Sequence, residues 1–354
     1  MKHIKNTLFS NKVLFMALSL FLATIISCKD KVVDPIIEPP IEEEDTIIIG
    51  GIGSTTPFIN GTFIDFWGKS AWGATQWDAH MVEMKEIGIQ LLFVQFSAYN
   101  EIIWIDSPND YSTLIYEDAL SNLLNAAERN DIKVYVGLYF NENYWQNASN
   151  SAEMNLHAQR SKDVANTIWK RSKNNKAFAG WYISHEGAPY YYDTEAKFNV
   201  LKNNLINPIA NYCKSISNKP VLTTVFFNYN ITTIEKFRLF MKRMAKCNLD
   251  AILLQDGIGV DHASLLTIGS YYQAANDGLF TDGGFKGAFW ADIETFTPPN
   301  GDPESFAVVK EKLIIIAPHV SKIATFQYYK DMSPSGPNGA LANVLRQDYY
   351  NYYK

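Results

Sequence analysis

Strand-like and helix-like runs alternate eight times along this chain, and few folds can absorb such a pattern. The strand-like runs are 61–68 (GTFIDFWG), 90–98 (QLLFVQFSA), 132–141 (IKVYVGLYFN) and 178–186 (FAGWYISHE), then 220–228 (PVLTTVFFN), 251–256 (AILLQD), 285–294 (FKGAFWADIE) and 322–329 (KIATFQYY). Helical spacing of apolar residues fills the intervals at 77–87, 116–128, 156–171, 198–216, 234–246, 263–275 and 304–316, and again at 338–349. In the second of these, Ala119, Leu120, Leu123, Leu124 and Ala127 fall on one face. Strand–helix alternation predicts a parallel sheet with helices packed outside it. Eight units favour closure into a single (β/α)8 TIM barrel, normally about 250 residues plus insertions, over an open doubly wound sheet. The expected barrel domain is 57–354. No G-x-G-x-x-G or P-loop pattern opens any helix, and Gly51-Ile52-Gly53 reads as a turn, so no cofactor is expected.

Residues 1–27 read as an export signal. Lys2, Lys5 and Lys12 precede an apolar run, 13–26, that is too short to span a bilayer comfortably. The run ends in Ile25-Ile26-Ser27-Cys28, which resembles the lipobox of bacterial lipoproteins, where cleavage leaves a diacylated cysteine. Acyl chains on Cys28 would anchor the protein stably. The expected location is the cell envelope, at the outer membrane, with either side open. Residues 28–56 carry Asp34-Pro35, Glu38-Pro39-Pro40 and a run of acids at 42–45, the composition of an extended solvated tether.

Removing the three signal lysines takes the net charge from −6 to −9. That argues against a nucleic-acid partner. Cys213 and Cys247 have no metal-type spacing and read as two buried free thiols. Among His80, His157, His185, His262 and His319 there is no H-x-H or H-E-x-x-H, so no metal site is expected. A monomer is the default expectation.

Barrel enzymes collect their chemistry at strand C-terminal ends. Here those ends are polar while the strand starts are apolar. Strand 1 offers Asp65 and Trp67, strand 2 Gln95, strand 3 Tyr139 and Asn141, and strand 4 His185 and Glu186. Asn228, Gln255 and Asp256 follow on strands 5 and 6, then Trp290, Asp292 and Glu294 on strand 7 and Gln327 on strand 8. Alternation along strand 7 gives its last three one face. Trp72, Trp104, Trp145 and Tyr190-Tyr191-Tyr192 add aromatic rings beyond the tips. Flat rings match the C–H faces of sugars, so a saccharide cleft is expected, although any one ring could equally pack a loop against the barrel.

Glu186 and Glu294 are the candidate catalytic pair. Retaining glycoside hydrolysis needs one carboxylic acid to protonate the leaving oxygen and one carboxylate to attack, about 5–5.5 Å apart. A helix N-terminal acid or a rim salt bridge would explain either glutamate alone, but less readily both.

The strand-4 and strand-7 glutamates resemble the large clan of retaining glycosidases with (β/α)8 barrels. GTFIDFWG, the 77–88 helix leading into QLLFVQFSA, GWYISHE and FWADIETF together look like the bacterial domain-of-unknown-function family 4434, from residue 56 to the C-terminus. The resemblance implies Glu186 as acid/base, Glu294 as ionised nucleophile and a carbohydrate substrate. The sequence departs from the clan at His185, where asparagine is usual, and in lacking a strand-1 arginine. Two other readings stay open. One is a glycan-binding lipoprotein without turnover. The other is an inverting enzyme using Asp256 or Asp292 at about 6.5–9.5 Å from its partner acid.

Overall fold

The computed structural model describes residues 56–107 and 109–354. The expected signal segment, 1–27, and all but the last residue of the expected tether, 28–56, lie outside them. Eight parallel strands close into a barrel: β1 (Gly61–Ile64), β2 (Leu91–Val94), β3 (Lys133–Gly137), β4 (Phe178–Gly187), β5 (Val221–Val225), β6 (Ala251–Gln255), β7 (Ala288–Glu294) and β8 (Ile323–Phe326). Each strand pairs with its sequence neighbours, and β1 closes the ring on β8 through Gly61↔Ala324 and Thr62↔Thr325. The fold is therefore the (β/α)8 barrel that the alternation predicts.

Every expected helix forms. They are α1 (Ala74–Glu86), α2 (Ala119–Arg129), α3 (Ser151–Ser172), α4 (195–217, with a π-helical middle at Leu201–Ile206), α5 (Ile234–Met244), α6 (Leu265–Asn276), α7 (Phe306–Ile316) and α8 (Gly339–Tyr353). Their apolar stripes face the strands: Leu120, Leu123, Leu124 and Ala127 of α2 are all buried. Among the described residues no helix is long and apolar enough to cross a membrane. Among the described residues Cys213 and Cys247 are buried free cysteines.

Period-two alternation fills the lumen with Phe63, Phe93, Tyr135, Tyr182, Leu222, Leu253 and Trp290. Phe93 stacks on Tyr135 at 5.3 Å, and Trp290 meets both edge-on. The barrel is thus solid beneath its mouth.

The second and third strand-like runs are longer than the barrel strands they become. β2 stops at Val94, and Ala98–Tyr99 pairs instead with Tyr139–Phe140 in a small four-stranded sheet above the rim. That sheet lifts Tyr99 and Phe140 over the mouth. The tight place beneath it is Gly137, where a Cβ would meet the Val94 and Gln95 carbonyl oxygens at 2.2 and 2.4 Å.

Candidate active site

The end of β4 leaves its regular register. Ile183 pairs with Thr223 but Gly187 with Val225, so residues 184–186 form a bulge. Bulges re-aim side chains. Thr223 fixes this one by donating its hydroxyl to the carbonyls of Ile183 and His185 at 3.0 and 3.1 Å. Ser184 donates to the Gln95 carbonyl at 2.7 Å, reaching across β3 where Gly137 has no side chain. Tyr144 donates to the Glu186 carbonyl at 2.6 Å.

Glu186 itself stands partly exposed, and its Oε1 accepts from Gln255 Nε2 at 2.7 Å. Burial, and to a smaller degree the charge of Glu142, push its pKa up to about 7 against the Gln255 hydrogen bond. A carboxyl with that value can hold or release a proton near neutrality.

Glu186 lines a cleft of about 260 Å³ with Gln95 and Ser184 on its floor. Trp67, Tyr99, Phe140 and Trp145 wall it, and Glu142 faces the same space. Trp67 stands perpendicular to Tyr99 at 5.5 Å. Tyr99 donates its hydroxyl to Glu142 Oε1 at 2.5 Å, and Asn100 Oδ1 accepts from the Glu142 amide at 2.9 Å. Sequence pattern alone does not single out Tyr99, which sits just past its strand run, whereas Glu142 directly follows Asn141 and is visible as part of that polar strand end. The signal that points to them is position, in the rim loop 99–116 and just beyond the strand-3 tip.

The β7 tip is more enclosed than its sequence suggests. Glu294 is 5% exposed, and Asp292 and Asp256 are buried beside it. Asp256 forms an ion pair with Lys312 of α7 at 3.1 Å, both side chains fully buried, and accepts from the Glu294 amide at 3.2 Å. Lys312 also donates to the Glu294 carbonyl at 2.6 Å. Burial and the Asp256 charge raise the Glu294 pKa to about 8, opposed by Lys312 and by the backbone amides of Gly259 and Val260. This direction is opposite to the ionised nucleophile expected from sequence. Burial outweighs the polar contacts that favour the anion. Asp292 is held well above the carboxylate range by burial and then by Glu294, Glu186 and Asp256. Its Oδ1 and the Glu294 Oε2 lack hydrogen-bond partners among the described residues.

Lys312 belongs to no motif and is not among the residues expected from sequence. It shares the stripe of Val309, Leu313 and Ile316, so the available signal is a charged residue on the apolar face of α7.

Asp65 accepts from the Trp67 amide at 2.8 Å, from Lys69 Nζ at 2.9 Å and from Gln327 Nε2 at 3.1 Å. It organises the β1–β8 seam, and the buried Lys69 supplies a cation there where no arginine exists. Gln255 pairs in register with Asp292, which joins the β6 and β7 tips.

Several expected contact residues are turned elsewhere. His185 turns outward from the bulge, fully buried, to His157 of α3 at 2.7 Å. Tyr139 is buried against α3, accepting from Arg160 at 2.8 Å. Trp290 packs in the lumen beneath the mouth. Asn141 and Asn228 accept from the amides of Asn143 and Asn230 and shape loop turns. Asp256 likewise faces α7. Among the described residues no group of three or more His, Cys, Asp or Glu side chains is arranged to hold a metal ion.

A family model described as "Domain of unknown function (DUF4434)" matches residues 59–338. Among curated proteins, none matches this sequence. Several solved structures share the barrel. A candidate α-L-fucosidase from Bacteroides thetaiotaomicron VPI-5482 superposes with a TM-score of 0.70 at 22% identity, over 90% of this chain and 99% of that one. An endo-β-1,4-mannanase from Thermotoga petrophila gives 0.55 at 11% identity, over 85% and 78%. An endo-1,4-β-mannanase from Rhizomucor miehei gives 0.53 at 12%, over 84% and 94%. At these identities the likeness is one of fold.

Proposed function

The chain belongs to the DUF4434 family, and from that footing we propose that it is a glycoside hydrolase acting on an oligo- or polysaccharide. The observation that carries the reading is Glu186, a carboxyl tuned to about 7 in a cleft walled by aromatic rings. In this reading the mechanism is retaining. Glu186 protonates the departing glycosidic oxygen, and Glu294 attacks the anomeric carbon to form a glycosyl-enzyme. Loss of the nucleophile's charge then lets Glu186 give up its proton and activate water. Gln255 holds Glu186, while Asp256 and Lys312 set the charge around Glu294. The glycosidases that share this fold support the substrate class.

Screening wild type, Glu186→Gln and Glu294→Gln against a panel of oligosaccharides and aryl glycosides tests the reading. Release of reducing sugar by wild type, lost in both variants, supports it. Equal release by all three removes these residues from the chemistry.

One observation favours a second reading. Glu294 is buried, lies off the cleft and is pushed toward its neutral form. A glycan-binding barrel without turnover would need nothing more than the cleft. Retention of a glycan by wild type with no product at any pH would favour it.

We also propose that diacylated Cys28 tethers the barrel to an envelope membrane, the outer one, through the acidic 28–56 segment. Cys28→Ala should then appear in the soluble fraction. Unchanged membrane fractionation of that variant counts against the anchor.

A further inference from the structure

The aromatic wall of the cleft continues past Trp145. Its ring meets Tyr191 at 5.7 Å and Phe226 at 6.0 Å, and both lead on to Tyr190, at 4.7 and 5.8 Å respectively. Tyr190 and Tyr191 keep part of their surfaces open to solvent. On the far side of Tyr190 lies a second groove of about 190 Å³, between the β4–α4 loop and α5. Tyr190, Ile231, Leu239 and Phe240 form its apolar lining, with Lys236 and Arg243 at its edge. Ile231 is 57% exposed, an unusual position for an isoleucine with no covering element.

Thr232 also lines this groove. It is 3% exposed, and its hydroxyl has no hydrogen-bond partner among the described residues. A buried hydroxyl left unpaired is unfavourable and points to a missing partner. Arg243 is engaged by Glu195 at 3.0 Å, whereas the Lys236 ammonium makes no ion pair among the described residues. The groove therefore combines exposed rings and aliphatic surface with the exposed Lys236 ammonium, and the unpaired Thr232 hydroxyl lies just beneath its lining. These match the two sides of a pyranose, its apolar C–H faces and its equatorial hydroxyls.

We propose that this groove is a second saccharide-binding site, which holds distal units of a chain whose reacting portion lies beside Glu186. The proposal rests on the saccharide reading above and makes the ligand a polymer or long oligosaccharide. The occupant is argued from continuity, because the rings of Trp145, Tyr191 and Tyr190 give one unbroken strip from cleft to groove. Two sites on one chain make the second contact intramolecular, so affinity should climb with chain length until both are spanned.

The test uses native gels cast with soluble galactomannan, arabinoxylan or mixed-linkage β-glucan, followed by calorimetry with a length series from whichever polymer retards the protein. Tyr190→Ala, Ile231→Glu and Thr232→Val should each weaken long-chain binding, the first two by about tenfold, the scale of about 1.4 kcal/mol. They should also flatten the rise of affinity with length. Ile231→Glu alters an exposed side chain and Thr232→Val keeps the shape, so thermal melting should stay near wild type. If these folded variants keep the wild-type length dependence while Trp145→Ala loses binding, the groove proposal is wrong and the cleft reading stands. If no polymer retards wild type, the groove proposal falls, and the cleft reading is decided by the oligosaccharide and aryl-glycoside screen.

Discussion

Gln255 Nε2 donates to Glu186 Oε1 at 2.7 Å, and the same Gln255 pairs in register with Asp292. One residue thus ties the half-open carboxyl of the cleft, through its side chain, to the backbone ladder that carries Asp292. The hydrogen bond favours the ionised form of Glu186 and holds down a pKa that burial has raised to about 7. Replacing Gln255 with leucine should move the Glu186 titration upward. ¹³C-carboxyl NMR of labelled glutamates would read it. An unmoved titration would mean that Gln255 does not act on Glu186.

Lys312 and Asp256 are both fully buried. Removing one member of such a pair strands the other charge, and Lys312→Met should lower unfolding stability by about 3–5 kcal/mol. The double variant Lys312→Met with Asp256→Asn should recover much of that loss, since no uncompensated charge remains. Urea unfolding checks both. Additive losses in the double variant would contradict the pairing.

Gly259 sits against Phe296. A Cβ there would lie 2.7 Å from both the Phe296 ring and its carbonyl oxygen. Gly259→Ala should shift the β6–α6 loop and destabilise by about 1–3 kcal/mol, the usual result of overpacking. Because the Gly259 and Val260 amides favour the Glu294 anion, the same change should raise the Glu294 pKa further. Stability by urea and the Glu294 ¹³C shift would report the two effects separately, and a downward shift would contradict the role given to those amides.

The pH dependence has a definite sign. In the proposed mechanism Glu186 works protonated and Glu294 ionised, and both pKa values are raised, to about 7 and about 8. Activity should therefore peak between about pH 7 and 8, where a minority form carries the correct protons, and not near the ordinary glutamate value of 4.5. An optimum below pH 6 would contradict the assignment.

Stability follows from the same shifts. Raised carboxyls keep protons that the unfolded chain has released, so stability falls as pH rises through their folded pKa values. Below the ordinary histidine value of 6.5, the lowered His80 and His157 act in the opposite direction. Above it the carboxyls act alone, and thermal melting temperature should drop between pH 6.5 and 8. Replacing Glu294 with Gln should remove part of that slope.

The barrel is legible in the sequence because its signals are local. Strand-like and helix-like patterning marks the eight barrel strands and the eight helices that alternate with them. The rim is less so. Tyr99 and Phe140 wall the cleft through a sheet that pairs residues about forty positions apart, which no local pattern reveals. Strand parity alone would turn His185 away from the mouth, but the bulge at 184–186 makes parity unreliable at the very place where Glu186 lies. Glu186 can therefore be named from its tip position, while nothing local removes His185 from the same list. The charge state of Glu294 depends on Lys312, Asp256 and the Gly259 loop, three elements that meet only in the folded chain.

Glu294 attacks and Glu186 carries the proton in the mechanism proposed here, and chemical rescue tests that division most directly. On an aryl glycoside cleaved by wild type, Glu294→Ala should show no turnover, and added azide should restore it with a glycosyl azide of inverted anomeric configuration as product, identified by NMR. Near-normal hydrolysis by Glu294→Ala without azide would contradict the account.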